Sequence, residues 1–318
     1  MSTKPRLQRQ RRLAQIAFFL LFVLAPLFDL FRYDLTQGHA YFLTLPWRLG
    51  LDDFLAGRIG AAEAGRNVFL RLFLPFFGTI AVGALVSWRW GRLYCGWLCP
   101  HFSVVETIND TMQKASGKHS LWDKQEVPPW QPDGSPAVRD KRWWLLVLPL
   151  AVGFALVWAV VLLTYLMPPL QVYAGLLNGD LKRGEVIFIA AATLVISAEF
   201  LFARHLFCRF GCAIGLFQSL LWMSNKKALV VGVDRQRLAE CADCLDGHGS
   251  ACDAVCPMRL KPRTMKRWMF ACTQCGQCLS ACDTVNRDKP AGPLLRWVKD
   301  EAAEQNEAGF ITIKKKED

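Results

Sequence analysis

The sequence predicts an α-helical membrane domain of four transmembrane helices, arranged as a duplicated two-helix unit, followed by a small α+β domain. Three observations predict it: four long apolar runs, a motif that recurs along them, and eight cysteines crowded into residues 241–282. The runs extend from about Leu13 to Leu30, Val68 to Trp88, Trp143 to Met167 and Val186 to Phe202. A helix needs roughly 20 mostly apolar residues to cross the hydrocarbon of a bilayer. The third run clears that length easily, and Trp88, Trp90, Trp143 and Trp144 stand where interfacial anchors belong. Four such runs within 190 residues are too many for buried helices of a soluble domain. No small-residue cleavage site follows the first run, so it does not read as a signal peptide.

Basic residues set the orientation. Lys4, Arg6, Arg9, Arg11 and Arg12 stand at the N-terminus with no acid among them, which places residues 1–12 on the cytoplasmic side. The Arg89 to Arg142 connection holds eight Lys and Arg, as an inside loop would, whereas Pro168 to Glu185 holds only Lys182 and Arg183. The Phe31 to Arg66 loop, with four arginines against five acids counting Asp29, weakens this pattern without reversing it. Four crossings return the C-terminus to the cytoplasm of a bacterial inner membrane. The net charge of +11 lies largely beside the apolar runs, where anionic lipid headgroups explain it better than nucleic acid does.

Within residues 13–224 each half carries two apolar runs, and each second run ends in a Cys-x-x-x-Cys pair. The first half reads Gly91-Arg92-Leu93-Tyr94-Cys95-Gly96-Trp97-Leu98-Cys99-Pro100. The second reads His205-Leu206-Phe207-Cys208-Arg209-Phe210-Gly211-Cys212. A polar connection with prolines, about Ala115 to Asp140, joins the halves. Helical periodicity puts both cysteines of a pair on one face, at the cytoplasmic boundary. Two such faces could present four thiolates to copper, zinc or a further cluster, or could cycle between dithiol and disulfide. Repeat interfaces are where membrane proteins build sites. Glu199, inside the fourth run, is either a functional acid or an interfacial one. His101 and His205, beside the thiol pairs, are either metal ligands or polar interfacial residues.

The last eight cysteines read Cys241-x-x-Cys244, Cys252-x-x-x-Cys256-Pro257, then Cys272-x-x-Cys275-x-x-Cys278-x-x-x-Cys282. The second group has the spacing that wraps a [4Fe–4S] cluster in bacterial ferredoxins, where the fourth cysteine ligates the other cluster. The first group has the same ends but seven residues, Leu245 to Ala251, where two are usual. Crossed ligation then assigns Cys241, Cys244, Cys252 and Cys282 to one cluster and Cys272, Cys275, Cys278 and Cys256 to the other. Structural zinc would use two pairs and would not need Cys278, and a disulfide framework does not suit a reducing compartment. This domain spans residues 225–298, with a polar tail at 299–318. The Arg259 to Arg267 stretch, five basic residues in nine, reads as a solvated connection between the two cysteine groups, or as a docking patch for an acidic redox partner. No Cys-x-x-Cys-His for c-type haem and no glycine-rich nucleotide loop occurs.

These residues resemble the membrane polyferredoxin superfamily, which includes the CcoG (RdxA, FixG) accessory proteins of haem–copper oxidases and the NapH and NosR electron-transfer proteins. The CcoG likeness rests on Gly91 to Pro100, on Phe207-Cys208-Arg209 continuing to Phe217-Gln218-Ser219, and on the Cys282-Asp283-x-Val285 ending. It implies electron relay through two clusters to a membrane-associated acceptor. It also implies reduction of Cu(II) to Cu(I) for oxidase maturation, with Cys95, Cys99, Cys208 and Cys212 as redox or copper thiols. Three features depart from the CcoG pattern: no further helix and β-sandwich follow the cysteine domain, Ala213 replaces a proline, and the spacer before Cys252 is longer. One alternative is a NapH- or NosR-like subunit that takes electrons from quinol for a periplasmic reductase; another is a non-redox metal carrier or assembly scaffold. The donor is a soluble reductant or quinol in the redox readings.

Overall fold

In the computed structural model, residues 3–317 are described apart from 124–125, 127–137, 204, 242–243 and 246–248. Most of the polar connection between the halves, and part of the spacer before Cys252 including His248, therefore lies outside the described residues. Three helices are long and apolar enough to cross a membrane: Ala61–Trp90, Lys141–Thr164 and Arg183–Ala203. The first apolar run starts inside a helix, Thr3–Leu24, whose N-terminal half is basic; among the described residues it does not make a fourth such span. Phe76, Phe77, Val82, Leu145, Leu194 and Val195 all point outward. An apolar surface of this extent suits lipid rather than water. The chain is a membrane protein by these helices.

The chain folds as two compact units that interleave along the sequence. One holds residues 19–83 and 151–198. Its core is Ala159, Val160, Leu163, Val172 and Ile189, the small alanine letting neighbouring helices approach. The segment read as a plain loop forms a three-stranded antiparallel sheet, Phe31–Asp34, His39–Phe42 and Leu45–Trp47. Asp34, buried, closes its first turn by accepting from Arg32 Nη1 at 2.7 Å and from the Thr36 N–H at 2.9 Å. Strands this short carry too little alternation to announce themselves. The segment Pro168 to Glu185, expected outside, also gains structure, a Pro169–Asn178 helix opened by its own proline and closed by Gly179 at φ 71°.

The other unit holds residues 1–18, 84–150 and 199–318, and it contains every cysteine. A two-stranded antiparallel sheet, Val230–Val233 against Leu295–Val298, brackets the C-terminal cysteines in sequence. Between the strands lie a short Ala251–Ala254 helix and the Gln277–Val285 helix, which pack on each other. The expected polar tail folds as a helix, Glu301–Glu317, that packs on the first of these strands. One core joins Phe102, Trp222, Val230, Met258, Leu260, Met269 and Val298 with Cys99, Cys208, Cys256 and Cys272. Thiols from the membrane-edge pairs and from the C-terminal group thus share one apolar interior.

Candidate functional site: two buried thiol sets

The C-terminal cysteines gather in two groups. Cys256, Cys272, Cys275 and Cys278 line a single small cavity, closed by Pro257, Met258, Met269 and Trp297. Cys256 reaches it from 16 residues before Cys272, across the basic stretch. The second group comprises Cys241, Cys244, Cys252 and Cys282. Cys241, Cys252 and Cys282 share a core with Leu279 and Leu295, and Cys244 feels both Cys241 and Cys282. Cys278 belongs to that core as well, so the two groups adjoin, and their division between two clusters remains the expectation from spacing. Among the described residues no three His, Cys, Asp or Glu side chains close on a point as they would around one ion.

Backbone donors aim at the sulfurs. The Leu260 N–H donates to Cys256 Sγ and the Ala251 N–H to Cys244 Sγ, each at 3.3 Å, and Asn286 Nδ2 donates to Cys282 Sγ at 3.6 Å. Burial pushes the Cys272 and Cys278 thiols up, and Cys256 up to about 12. Thiolates so desolvated are stable only beside a bound cation, which iron supplies. Cys241 goes the other way, lowered first by a hydrogen bond from Cys252 and then by Arg263. The donor set therefore fits [4Fe–4S] chemistry.

The basic stretch is solvated only in part: Arg259, Lys261 and Arg267 are exposed, but Lys266 and Arg263 turn inward. Lys266 is 4% exposed, and its Nζ donates to the Trp222 and Asn225 carbonyls at 2.6 Å each, above the Trp222 ring. Arg263 donates to the Cys241 carbonyl at 2.6 Å and pairs with Asp253, while Arg259 pairs with Asp123. Three of the five cations are tied down because they close the chain around the cysteines.

The membrane-edge pairs differ from expectation in their geometry. Cys95 lies in a short helix, Leu93–Trp97, but Cys99 is extended, at φ −60° and ψ 117°, and caps the Pro100–Ser116 helix. Cys208 lies in a π-helical turn, Phe207–Gly211, and Cys212, at φ −80° and ψ 107°, caps the Ala213–Ser224 helix. Neither pair occupies one helical face. Pro100 enforces the break in the first half, since the residue before a proline avoids helical backbone. The two pairs lie within electrostatic reach of each other: Cys95 and Cys99 feel Cys212, and Cys208 feels both Cys95 and Cys99. His101 and Glu199 pair with each other at 2.9 Å, and His205 is buried and stacked on Phe102.

The two sets touch. Gly96 lies so close to the C-terminal cysteine loop that a Cβ there would sit 2.2 Å from the Thr273 carbonyl oxygen. Trp97 Nε1 donates to the Gln274 carbonyl at 3.0 Å. Arg11, 1% exposed, pairs with Glu106, donates to the Gly96 carbonyl at 3.1 Å and lies in the field of Cys275. Arg92, part of the Gly91 to Pro100 motif, is buried beside these thiols. It sits in the repeat register where the second half has His205, and that alignment was the available signal.

Two stretches, residues 72–119 and 184–229, match the family model described as a 4Fe-4S binding domain. They contain Cys95 with Cys99 and Cys208 with Cys212, one pair per match, in keeping with a duplication. The chain is 25% identical over 248 residues to the putative electron transport protein YccM of Escherichia coli, covering 75% of this chain and 60% of that protein. It is 26% identical over 217 residues to the regulatory protein NosR of Pseudomonas aeruginosa, covering 67% of this chain and 25% of NosR. The chain is related to both. An uncharacterized protein of Methanocaldococcus jannaschii, MJ0750, is 26% identical over 232 residues, covering 68% of this chain and 86% of that protein. No solved structure matches.

Proposed function

We propose that this protein is a membrane-anchored electron-transfer protein holding two [4Fe–4S] clusters. Cys241, Cys244, Cys252 and Cys282 hold one, and Cys256, Cys272, Cys275 and Cys278 hold the other. Bound clusters supply reversible one-electron chemistry, at potentials set by burial and by hydrogen bonds to sulfur. The observation that carries the reading is Cys256 joining Cys272, Cys275 and Cys278 around one cavity, since crossed ligation alone needs that juxtaposition. The residues around it exclude water, and N–H groups facing the sulfurs favour the more negative, reduced state. The relatives point the same way, YccM by its printed name of electron transport protein.

On this reading residues 1–12 and the C-terminus face the cytoplasm, four helices cross the bacterial inner membrane, and the acceptor is associated with the membrane. The donor is a soluble reductant or quinol; a quinol-linked subunit that feeds a periplasmic reductase is consistent with the likeness to NosR. A cleft of about 350 Å³ supports a small-molecule donor beside the clusters: Arg12, Asp110 and Lys114 line it together with Pro257 and Gln277, neighbours of Cys256 and Cys278. A second reading, resting on the softness of thiolate ligands, places copper at Cys95, Cys99, Cys208 and Cys212 and has the protein reduce it.

The test is anaerobic purification, with iron and acid-labile sulfide counted per chain and EPR recorded after reduction. At least about eight irons with interacting reduced-cluster signals are expected. Zinc in place of iron, with no reducible signal, would leave only the scaffold reading. Oxidation of added quinol, abolished by a quinone-site inhibitor, separates the quinol-linked form from the copper one, which instead predicts bound copper and cuprous ion as product.

A further inference from the structure

The guanidinium of Arg92 is 1% exposed and stands among the membrane-edge thiols. Its Nη2 donates to the Cys208 carbonyl at 2.7 Å, whereas Nε and Nη1 have no oxygen acceptor among the described residues and the Cys95 thiol is the group that meets the guanidinium. No carboxylate pairs with it there. Cys95 lies beside it, and its field reaches Cys208 and Cys272. The site is shaped to admit this cation: a Cβ on Gly215 would sit 2.4 Å from Arg92 Nη2. A buried charge without a counter-charge costs several kcal/mol, so a site built around one calls for an anion.

Two further sources of positive potential point the same way. Cys99 and Cys212 each cap the N-terminus of a helix, of 17 and 12 residues, where backbone N–H groups and the helix dipole favour negative charge. Neutral thiols or a disulfide would leave all three sources uncompensated. Four thiolates around an iron–sulfide core keep a net negative charge that would meet them. The chemistry of the donor set agrees, because both stretches matching a 4Fe-4S binding domain fall on these pairs and neither reaches residues 241–282.

We propose that Cys95, Cys99, Cys208 and Cys212 together hold one iron–sulfur cluster, shared between the two halves of the repeat, and that Arg92 is its buried counter-ion. The centre is a third cluster, added to the two of the relay reading on which it builds. It lies in the same core as Cys256 and Cys272, back to back with the loop that Gly96 and Trp97 hold. Arg92 stands between the two sites, positioned to stabilise the reduced form of either.

The full chain, purified anaerobically, should carry about twelve irons if the third centre is a cubane, and about ten if it is a [2Fe–2S] rhomb. Joint Cys99→Ser and Cys212→Ser should lower the count to about eight while the EPR signals of the C-terminal clusters persist. Joint Cys272→Ser and Cys275→Ser should remove a C-terminal cluster and leave the third signal; if iron does not fall in that variant, the relay reading fails rather than this one. A wild-type count of about eight overturns the third cluster even if no variant accumulates, as does an iron content insensitive to Cys99 and Cys212. Copper or zinc recovered from the four thiols overturns it too. In a redox titration followed by EPR, Arg92→Gln should move the third midpoint to lower potential and Arg92→Lys should restore much of it. An unmoved midpoint removes Arg92 from the role.

Discussion

The C-terminal cysteines and the membrane-edge cysteines are both buried or half-buried, yet they are made by different means. The C-terminal eight stand on short loops and helices, and their surroundings are local: the N–H that meets Cys256 belongs to Leu260 and the amide that meets Cys282 belongs to Asn286. The membrane-edge four arrive in pairs from helices more than 100 residues apart, and a lone arginine and two helix ends surround them. One set is organised by spacing, the other by tertiary packing. Where they meet, contact is backbone against backbone, at Gly96 and Thr273.

The largest effect expected from breaking one side of the comparison is Cys275→Ser. It should remove the cluster of Cys256, Cys272 and Cys278, about four irons per chain, and with it the corresponding EPR signal. If iron is unchanged, the C-terminal set is not a ligand set.

Next comes the contact itself. Gly96→Ala puts a methyl group 2.2 Å from a carbonyl oxygen and 3.2 Å from the Cys275 nitrogen, and backbone has little room to yield. A cost of about 3 kcal/mol or more is expected, at the upper end for overpacked sites. A thermal melt in detergent, followed by visible absorption of the clusters, would read it. A wild-type melt would mean that the two sets are not pressed together.

A third experiment uses pH. Burial draws the Lys266 ammonium down from 10.5 to about 8, with Glu307 opposing. Between about pH 8 and 10.5 the unfolded chain keeps a proton that the folded chain has released. Stability from this group is therefore fully present above 10.5 and lost as pH falls through about 8, a swing of about 3 kcal/mol. Lys266→Met should flatten that part of the stability profile. A profile as steep as that of the wild type would assign the pH dependence elsewhere.

How much of this was legible follows from the same contrast. The Cys272 to Cys282 spacing and the distant Cys256 could be read directly, because thiolates within a few residues report one loop. The repeat of Leu93-Tyr94-Cys95 in Leu206-Phe207-Cys208 was equally visible. That Cys99 and Cys212 cap helices was not, because a four-residue spacing also suits one helical face; only Pro100 hinted at the break. Lys266 read as solvated because a charge run ordinarily is, and its two carbonyl partners lie about 40 residues away in sequence. Arg92 shows the same gap, since nothing near it in sequence says that it lacks a carboxylate.

The smallest expected effect sharpens the comparison most. Trp97→Phe keeps an aromatic ring but removes the N–H that donates to the Gln274 carbonyl at 3.0 Å. Losing one such bond costs about 1 kcal/mol, because the carbonyl it served is left part-buried without its donor. The substitution leaves the backbone of the Leu93–Trp97 helix and of the Cys99 cap as it was, so the metal content of the membrane-edge thiols should not change. The loop of Cys272 and Cys275 should instead open more often, and iron should be lost from the C-terminal cluster to a chelator about five-fold faster. Equal acceleration for iron held by both thiol sets would mean that the protein loosens as one body, and that the contact at Trp97 does not separate them.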